Sequence, residues 1–202
     1  MKLVGDGLAC SRGGRVVFRD VSFALGAGDS LLLTGPNGAG KTSLLRLIAG
    51  LVEAMAGTVR LEGGDTELTV GQHAHFIGHL DAVKGALTAA ENLDFWRAFL
   101  GGAGSGDALD AFGLADLADI PAGYLSAGQK RRLALCRLAV VPRVLWLLDE
   151  PSVSLDAQSR DTLATLVSGH VAGGGIVVAS THGDLGIPFT STLAMTGRGP
   201  NP

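Results

Sequence analysis

Short apolar runs closed by glycine, proline or polar clusters alternate along the chain with longer stretches at helical spacing. Val16 to Leu25 mixes β-branched and apolar residues, as a strand does. Ser30-Leu31-Leu32-Leu33-Thr34 is a buried-strand run ending in glycine, and Leu44, Leu45, Leu47, Ile48 and Leu51 follow at helical spacing. Thr58 to Leu61 and Ala74 to Gly78 predict further strands, and Ala89 to Leu100 predicts a helix. A second helix, Ala127 to Val140, must stop before Pro142, which has no N–H and clashes with the preceding turn. Val144 to Leu148 is apolar throughout, as in a parallel-sheet strand covered on both faces. A helix over Leu155 to Ala172 and a buried strand over Ile176 to Ser180 complete the series. Gly101 to Gly106 predicts a flexible surface loop rather than a domain linker, because too little chain flanks it on either side. The alternation calls for an α/β fold with a mostly parallel sheet. The mainly helical stretch from about 88 to 140 interrupts it as an inserted lobe of a single domain spanning 1–202.

Composition narrows the class. The chain has 202 residues, 47% of them hydrophobic, enough for a substantial core and too apolar for disorder. A net charge of −3 gives no basic footprint, so nucleic acid is not expected as a partner. The two cysteines, Cys10 and Cys136, make no disulfide framework; a reducing cytosol and two small buried hydrophobes are expected. The N-terminus carries no signal-peptide pattern. Mean hydropathy is high, +0.34. Yet no apolar stretch approaches the ~20 residues of a bilayer span. The longest candidate, Leu138 to Leu148, is broken by Pro142 and Arg143. The apolar excess is therefore assigned to a core and a docking surface.

Two motifs carry chemistry. Gly35-Pro36-Asn37-Gly38-Ala39-Gly40-Lys41-Thr42, followed by Ser43, has the spacing of a phosphate-binding loop between a strand and a helix. Its glycines let backbone N–H groups converge on phosphate oxygens at a helix N-terminus. Lys41 is expected to reach the β- and γ-phosphates and Thr42 to hold Mg²⁺. Second, the strand ending in Asp149-Glu150 places two acids beside a site that must hold a cation. Asp149 is the expected second Mg²⁺ residue, and Glu150 the base that polarises attacking water. A nucleotide bearing β- and γ-phosphates, with Mg²⁺, is thus the expected occupant.

Leu125-Ser126-Ala127-Gly128-Gln129, at the start of the second long helix, resembles the signature of ATP-binding cassette proteins, with Ala127 where glycine is usual. The resemblance spans nearly the whole chain. It implies a P-loop core with N-terminal antiparallel β elements and an inserted helical signature lobe. It also implies that Ser126, Ala127, Gly128 and Gln129 meet nucleotide held by a second copy of the chain. Ser154 and Asp156 resemble the loop that crosses the dimer interface, and His182 resembles the switch histidine at the γ-phosphate. The chain departs from the family twice. Where an adenine-stacking aromatic is usual it offers Arg12, with Phe18 nearby. Where a glutamine is usual it has Leu80, preceded by His79.

Phe76-Ile77-Gly78-His79, the run Lys84 to Leu93, Phe95-Trp96 and the alanine of the signature resemble one subfamily, the ATP-binding subunits of bacterial haem exporters of cytochrome c maturation. That implies ATP hydrolysis coupled to transport, integral membrane partners, and a peripheral place on the cytoplasmic face of the inner membrane. Another exporter, or a soluble cassette acting on a macromolecular complex, is the alternative. The latter usually carries two cassettes or coiled-coil insertions, and this chain has only four lysines, Lys2, Lys41, Lys84 and Lys130. Partner contacts are expected near Leu80 to Trp96, where Phe95, Trp96 and Phe99 serve either lobe core or docking. Lys130-Arg131-Arg132 is expected to face phosphates or acids at the dimer interface. His73, His75 and His79 are expected to be exposed or packed strand histidines rather than haem ligands.

Overall fold

The computed structural model describes residues 1–101, 108–181, 183 and 185–196. In chain order the elements are β1 (Lys2–Arg12), β2 (Arg15–Gly26), β3 (Ser30–Thr34), α1 (Lys41–Ile48), β4 (Ala56–Glu62), β5 (Ala74–Ile77), α2 (Ala89–Leu100), α3 (Ala108–Ala111), α4 (Ala127–Val140), β6 (Leu145–Asp149), α5 (Ala157–Ala172), β7 (Ile176–Ser180) and β8 (Ser191–Ala194). Five strands form a parallel sheet in the order β5-β6-β7-β3-β8, and three form an antiparallel sheet in the order β2-β1-β4.

Alternation along the central strands explains the two layers, because successive side chains point to opposite faces. Leu31, Leu33, Leu145, Leu147, Ile176 and Val178 pack with Leu44, Leu45 and Ile48 of α1 and with Leu3, Leu8 and Phe18 of the antiparallel sheet. Trp146, Leu148, Val177 and Ala179 pack on the other face, with Leu135 and Leu138 of α4 and Leu163 and Val167 of α5. β6 and β7 are buried at every position, which is why both read as continuous apolar runs.

Of the stretch 88–140, the structure describes 88–101 and 108–140, which hold α2, α3 and α4. Two reciprocal capping boxes start its long helices: Thr88 with Glu91 on α2, and Ser126 with Gln129 on α4. Asn92, 1% exposed, pins the approach to α2 by accepting from Lys84 N and donating to the carbonyls of Lys84, Leu87 and Thr88. Both cysteines are buried and free, as expected. Burial pushes the Cys136 thiol up to about 12 and raises that of Cys10.

Two strands had no counterpart in the sequence pattern. β1 contains Gly5-Asp6-Gly7 and shifts register against both neighbours, so its apolar residues lose strict alternation. β8 is four residues long, mostly exposed, and lies at the sheet edge. Of the glycine run, Gly102 to Gly106 lie outside the described residues.

Candidate active site

The carboxyl ends of β3, β7 and β6 lie side by side, and the segments leaving them form one cleft of about 610 Å³. Asn37 to Ser43, Asp149, Glu150 and Ser180 line it, with Arg12, Val17 and His79 at its walls. Ligands of open α/β sheets occupy this position.

The loop after β3 needs its glycines for two reasons. Gly35 has φ 129°, and a Cβ there would stand 2.1 Å from the carbonyl oxygen of Met195, just past β8. Gly40 caps α1 with φ 102°, and a Cβ would meet Val17 and Phe18. No side chain caps α1, so its first N–H groups remain available to an anion. The Lys41 ammonium donates to the carbonyls of Gly35 (2.7 Å) and Pro36 (3.3 Å), which hold it within the loop.

Asp149 is 3% exposed. Its Oδ1 accepts from Thr42 Oγ1 at 3.1 Å and Ser180 Oγ at 2.6 Å. Among the described residues no Lys, Arg or His forms an ion pair with it. A buried carboxylate held only by hydroxyls is costly unless a cation joins it. Thr42 and Asp149 offer hard oxygen donors, which suit Mg²⁺. No cluster of three His, Cys, Asp or Glu able to hold a metal occurs among the described residues. A magnesium here would take the rest of its shell from water and phosphate, as this ion commonly does. Ser180 was missed in the sequence. The available signal was a polar residue closing an otherwise apolar strand.

Glu150 follows with φ 50°, a left-handed conformation for a residue with a side chain, and its N–H donates to Ser180 O at 2.9 Å. Arg12 stands exposed at the cleft wall beside Val17. Phe18 does not: it is 3% exposed and wedged beneath Gly40, where it props the phosphate loop.

The signature lies elsewhere. None of Ser126 to Gln129 lines the phosphate cleft; Ser126 and Ala127 are exposed on the lobe. Ser126 Oγ accepts Gln129 N–H, which leaves the hydroxyl proton free to donate. Gly128 packs closely against the carbonyl of Ser154, itself left-handed at φ 66°. Asp156 caps α5 by accepting Ser159 N–H at 2.8 Å, and its carboxyl is held below the usual range by the Ser159 side chain first and by that N–H second. His182 lies outside the described residues.

The cationic trio diverges. Lys130 donates to Gly123 O and Arg132 to Phe112 O, while Arg131 is 4% exposed and bonds inward. Helical periodicity turns Arg131 toward the core, so the three cannot share one face. The three histidines diverge as well. His73 precedes β5 and contacts Asp65 O; His75 is buried against Val141 O; His79 reaches the phosphate cleft. Leu80, 79% exposed, is absent from that cleft and lines the neighbouring groove. Phe95 and Phe99 stack on the lobe, Trp96 meets both edge-to-face, and Phe99 is 69% exposed.

Residues 18–153 match the ABC transporter family model, and the chain belongs to that family of ATP-binding cassettes. Its curated relatives are more particular. It is 56% identical over 189 residues to the cytochrome c biogenesis ATP-binding export protein CcmA of Nitrobacter winogradskyi, covering 93% of this chain and 94% of the relative. The protein of the same name from Rhizobium meliloti is 49% identical over 204 residues, covering 98% and 99%. Among solved structures, a putative ABC transporter ATP-binding protein from Pyrococcus furiosus has a TM-score of 0.83 at 23% identity, over 96% of this chain and 98% of that one. A dimeric post-hydrolysis state of the cassette MJ0796, bound to ADP and Pi, has a TM-score of 0.79 at 21% identity, over 96% and 94%. At these identities the two structures support the fold alone.

Proposed function

We propose that the chain is the ATP-hydrolysing subunit of a membrane export complex in cytochrome c biogenesis, with haem as the exported cargo. The observation carrying the ATPase reading is the shared cleft in which Lys41, Thr42, Asp149 and Glu150 converge. The export assignment is supported by the relatives' names and their near-complete coverage.

In this reading the loop N–H groups and Lys41 bind the β- and γ-phosphates of ATP, with Arg12 against the adenine. Thr42 and Asp149 hold Mg²⁺, which when bound neutralises charge on the phosphate oxygens. Glu150 takes a proton as water oxygen bonds to the γ-phosphorus; the bond to the β,γ-bridging oxygen breaks and ADP departs with the electron pair. His182 is assigned to the γ-phosphate. The resemblance of the signature to that of other cassettes assigns Ser126 and Gly128 to nucleotide held by a second copy, and their place outside this chain's own cleft is compatible with that. Ser154 lies in the loop between the two sites.

No helix among the described residues is long and apolar enough to cross a membrane. Export therefore needs integral membrane partners, and the peripheral position on the inner membrane's cytoplasmic face follows from docking to them. A groove of about 480 Å³ between the end of β5 and α2 is the proposed docking place. Leu51 (63% exposed), Leu80 and Trp96 line it beside Arg137.

Glu150→Gln tests the whole reading. Two differently tagged copies are co-expressed and membranes are gently extracted with Mg-ATP. The variant is expected to bind ATP, stall as a dimer, and co-purify integral membrane subunits with haem-handling companions. Recovery only as a monomer rejects the composite site; recovery only from the soluble fraction or with ribosomes rejects the export role.

A further inference from the structure

We infer that Arg131, on the signature helix, is the positioning residue that sets the backbone frame of Glu150; this rests on the assignment of Glu150 as the base. A guanidinium has five N–H donors in a planar fork, and every one of them is used here. Nε donates to Pro151 O at 3.2 Å. Nη1 donates to Gly78 O at 2.8 Å and to the Asp81 carboxylate at 2.9 Å. Nη2 donates to Asp149 O at 3.3 Å and Glu150 O at 2.7 Å. Three consecutive carbonyls, 149 to 151, thus end on one side chain.

The reason lies in the backbone. β6 ends at Asp149 and Glu150 turns left-handed, so the carbonyls beyond leave the sheet ladder and need new donors. The Glu150 N–H is tied to Ser180 on β7, and its C=O is tied to Arg131 on α4. The carboxylate therefore hangs from a peptide held on both sides. The same guanidinium grips Gly78 and Asp81, which flank His79 and Leu80. One side chain joins the signature helix, the base and the loop at the mouth of the docking groove. No single lysine replaces it: an ammonium has three donors and no fork.

Arg131→Lys is compared with wild type in the assembled membrane complex. Misplacing a reacting group by about 1 Å costs on the order of 100-fold in rate. The expected result is a kcat about 10- to 100-fold lower with Kd for Mg-ATP within about threefold, a split that simple loosening of the fold does not produce. In a Glu150→Gln background the Arg131→Lys loss should vanish, because the two act through one group. Asp81→Asn keeps the four carbonyl bonds and removes only the counter-charge, so it guards against misfolding; it should lower kcat in the same sense with Kd unchanged. An unchanged kcat in both single variants, or losses that multiply with Glu150→Gln, overturns the clamp. Wild-type hydrolysis by Glu150→Gln alone instead overturns the base assignment, and the clamp with it.

Discussion

His75 is where the fold most plainly opposes a charge, and the consequence can be worked out. It is 2% exposed, and its Nε2–H donates to Val141 O at 2.6 Å, joining β5 to the residue that ends α4. Burial depresses its pKa from 6.5 to about 4; Arg137, Arg143 and His170 add to the effect, and the Val141 bond opposes it. Between these values the unfolded chain binds a proton that the folded chain refuses. Stability therefore rises with pH in that window, and it falls as pH drops from 6.5 toward 4. Linkage gives a loss of about 2 kcal/mol between pH 7 and pH 5. That is a large part of the roughly 5–15 kcal/mol that holds a typical domain. His75→Gln keeps an amide donor for Val141 but does not titrate. Urea unfolding of both proteins at pH 7 and pH 5, followed by circular dichroism, isolates the effect. His170, also lowered by burial, stays in both and cancels. The variant should lose about 2 kcal/mol less than wild type over this range. Equal losses would show that His75 is not held neutral and would refute the burial argument.

Further outcomes concern the site. Lys41→Ala should abolish measurable ATP binding in a fluorescent-nucleotide titration, and unchanged affinity would remove the phosphate assignment. Gly35→Ala places a methyl 2.1 Å from Met195 O at φ 129°, so the loop must shift. Affinity for Mg-ATP should fall at least about tenfold, a loss of roughly 1.4 kcal/mol; wild-type affinity would mean that the loop does not need this backbone. His79 faces the phosphate cleft and Leu80 does not. His79→Ala should therefore slow steady-state ATP turnover by about tenfold or more, whereas Leu80→Gln should leave it nearly unchanged. A large rise with Leu80→Gln would show instead that the missing amide limits hydrolysis.

Local physics decided what could be read in advance. α2 and α4 begin at Ser/Thr-x-x-Glu/Gln capping boxes and have the bounds that their periodicity implies. β6 and β7 are central strands buried on both faces, so no alternation was needed to find them. β1 and β8 owe their existence to partners distant in sequence. β8 is recruited by the edge of β3, with Ser30 and Thr190 exchanging bonds across 160 residues. Nothing within four mostly exposed residues announces such a pairing.

The site divides along the same line, as Lys41 and Arg131 show. Lys41 works through a loop contiguous in sequence, where spacing and backbone freedom suffice to define the geometry. Arg131 works through carbonyls 18 to 53 residues away, and its own neighbours, Lys130 and Arg132, suggested a cationic turn facing phosphates or acids at the dimer interface. What selects a guanidinium there is a demand created elsewhere. A strand ends in two acids, the second turns left-handed, and the freed carbonyls need a forked donor from across the lobe interface. The demand becomes visible only when every buried carbonyl has been asked for its partner. The clamp is therefore legible in the hydrogen bonds and silent in the pattern of charges.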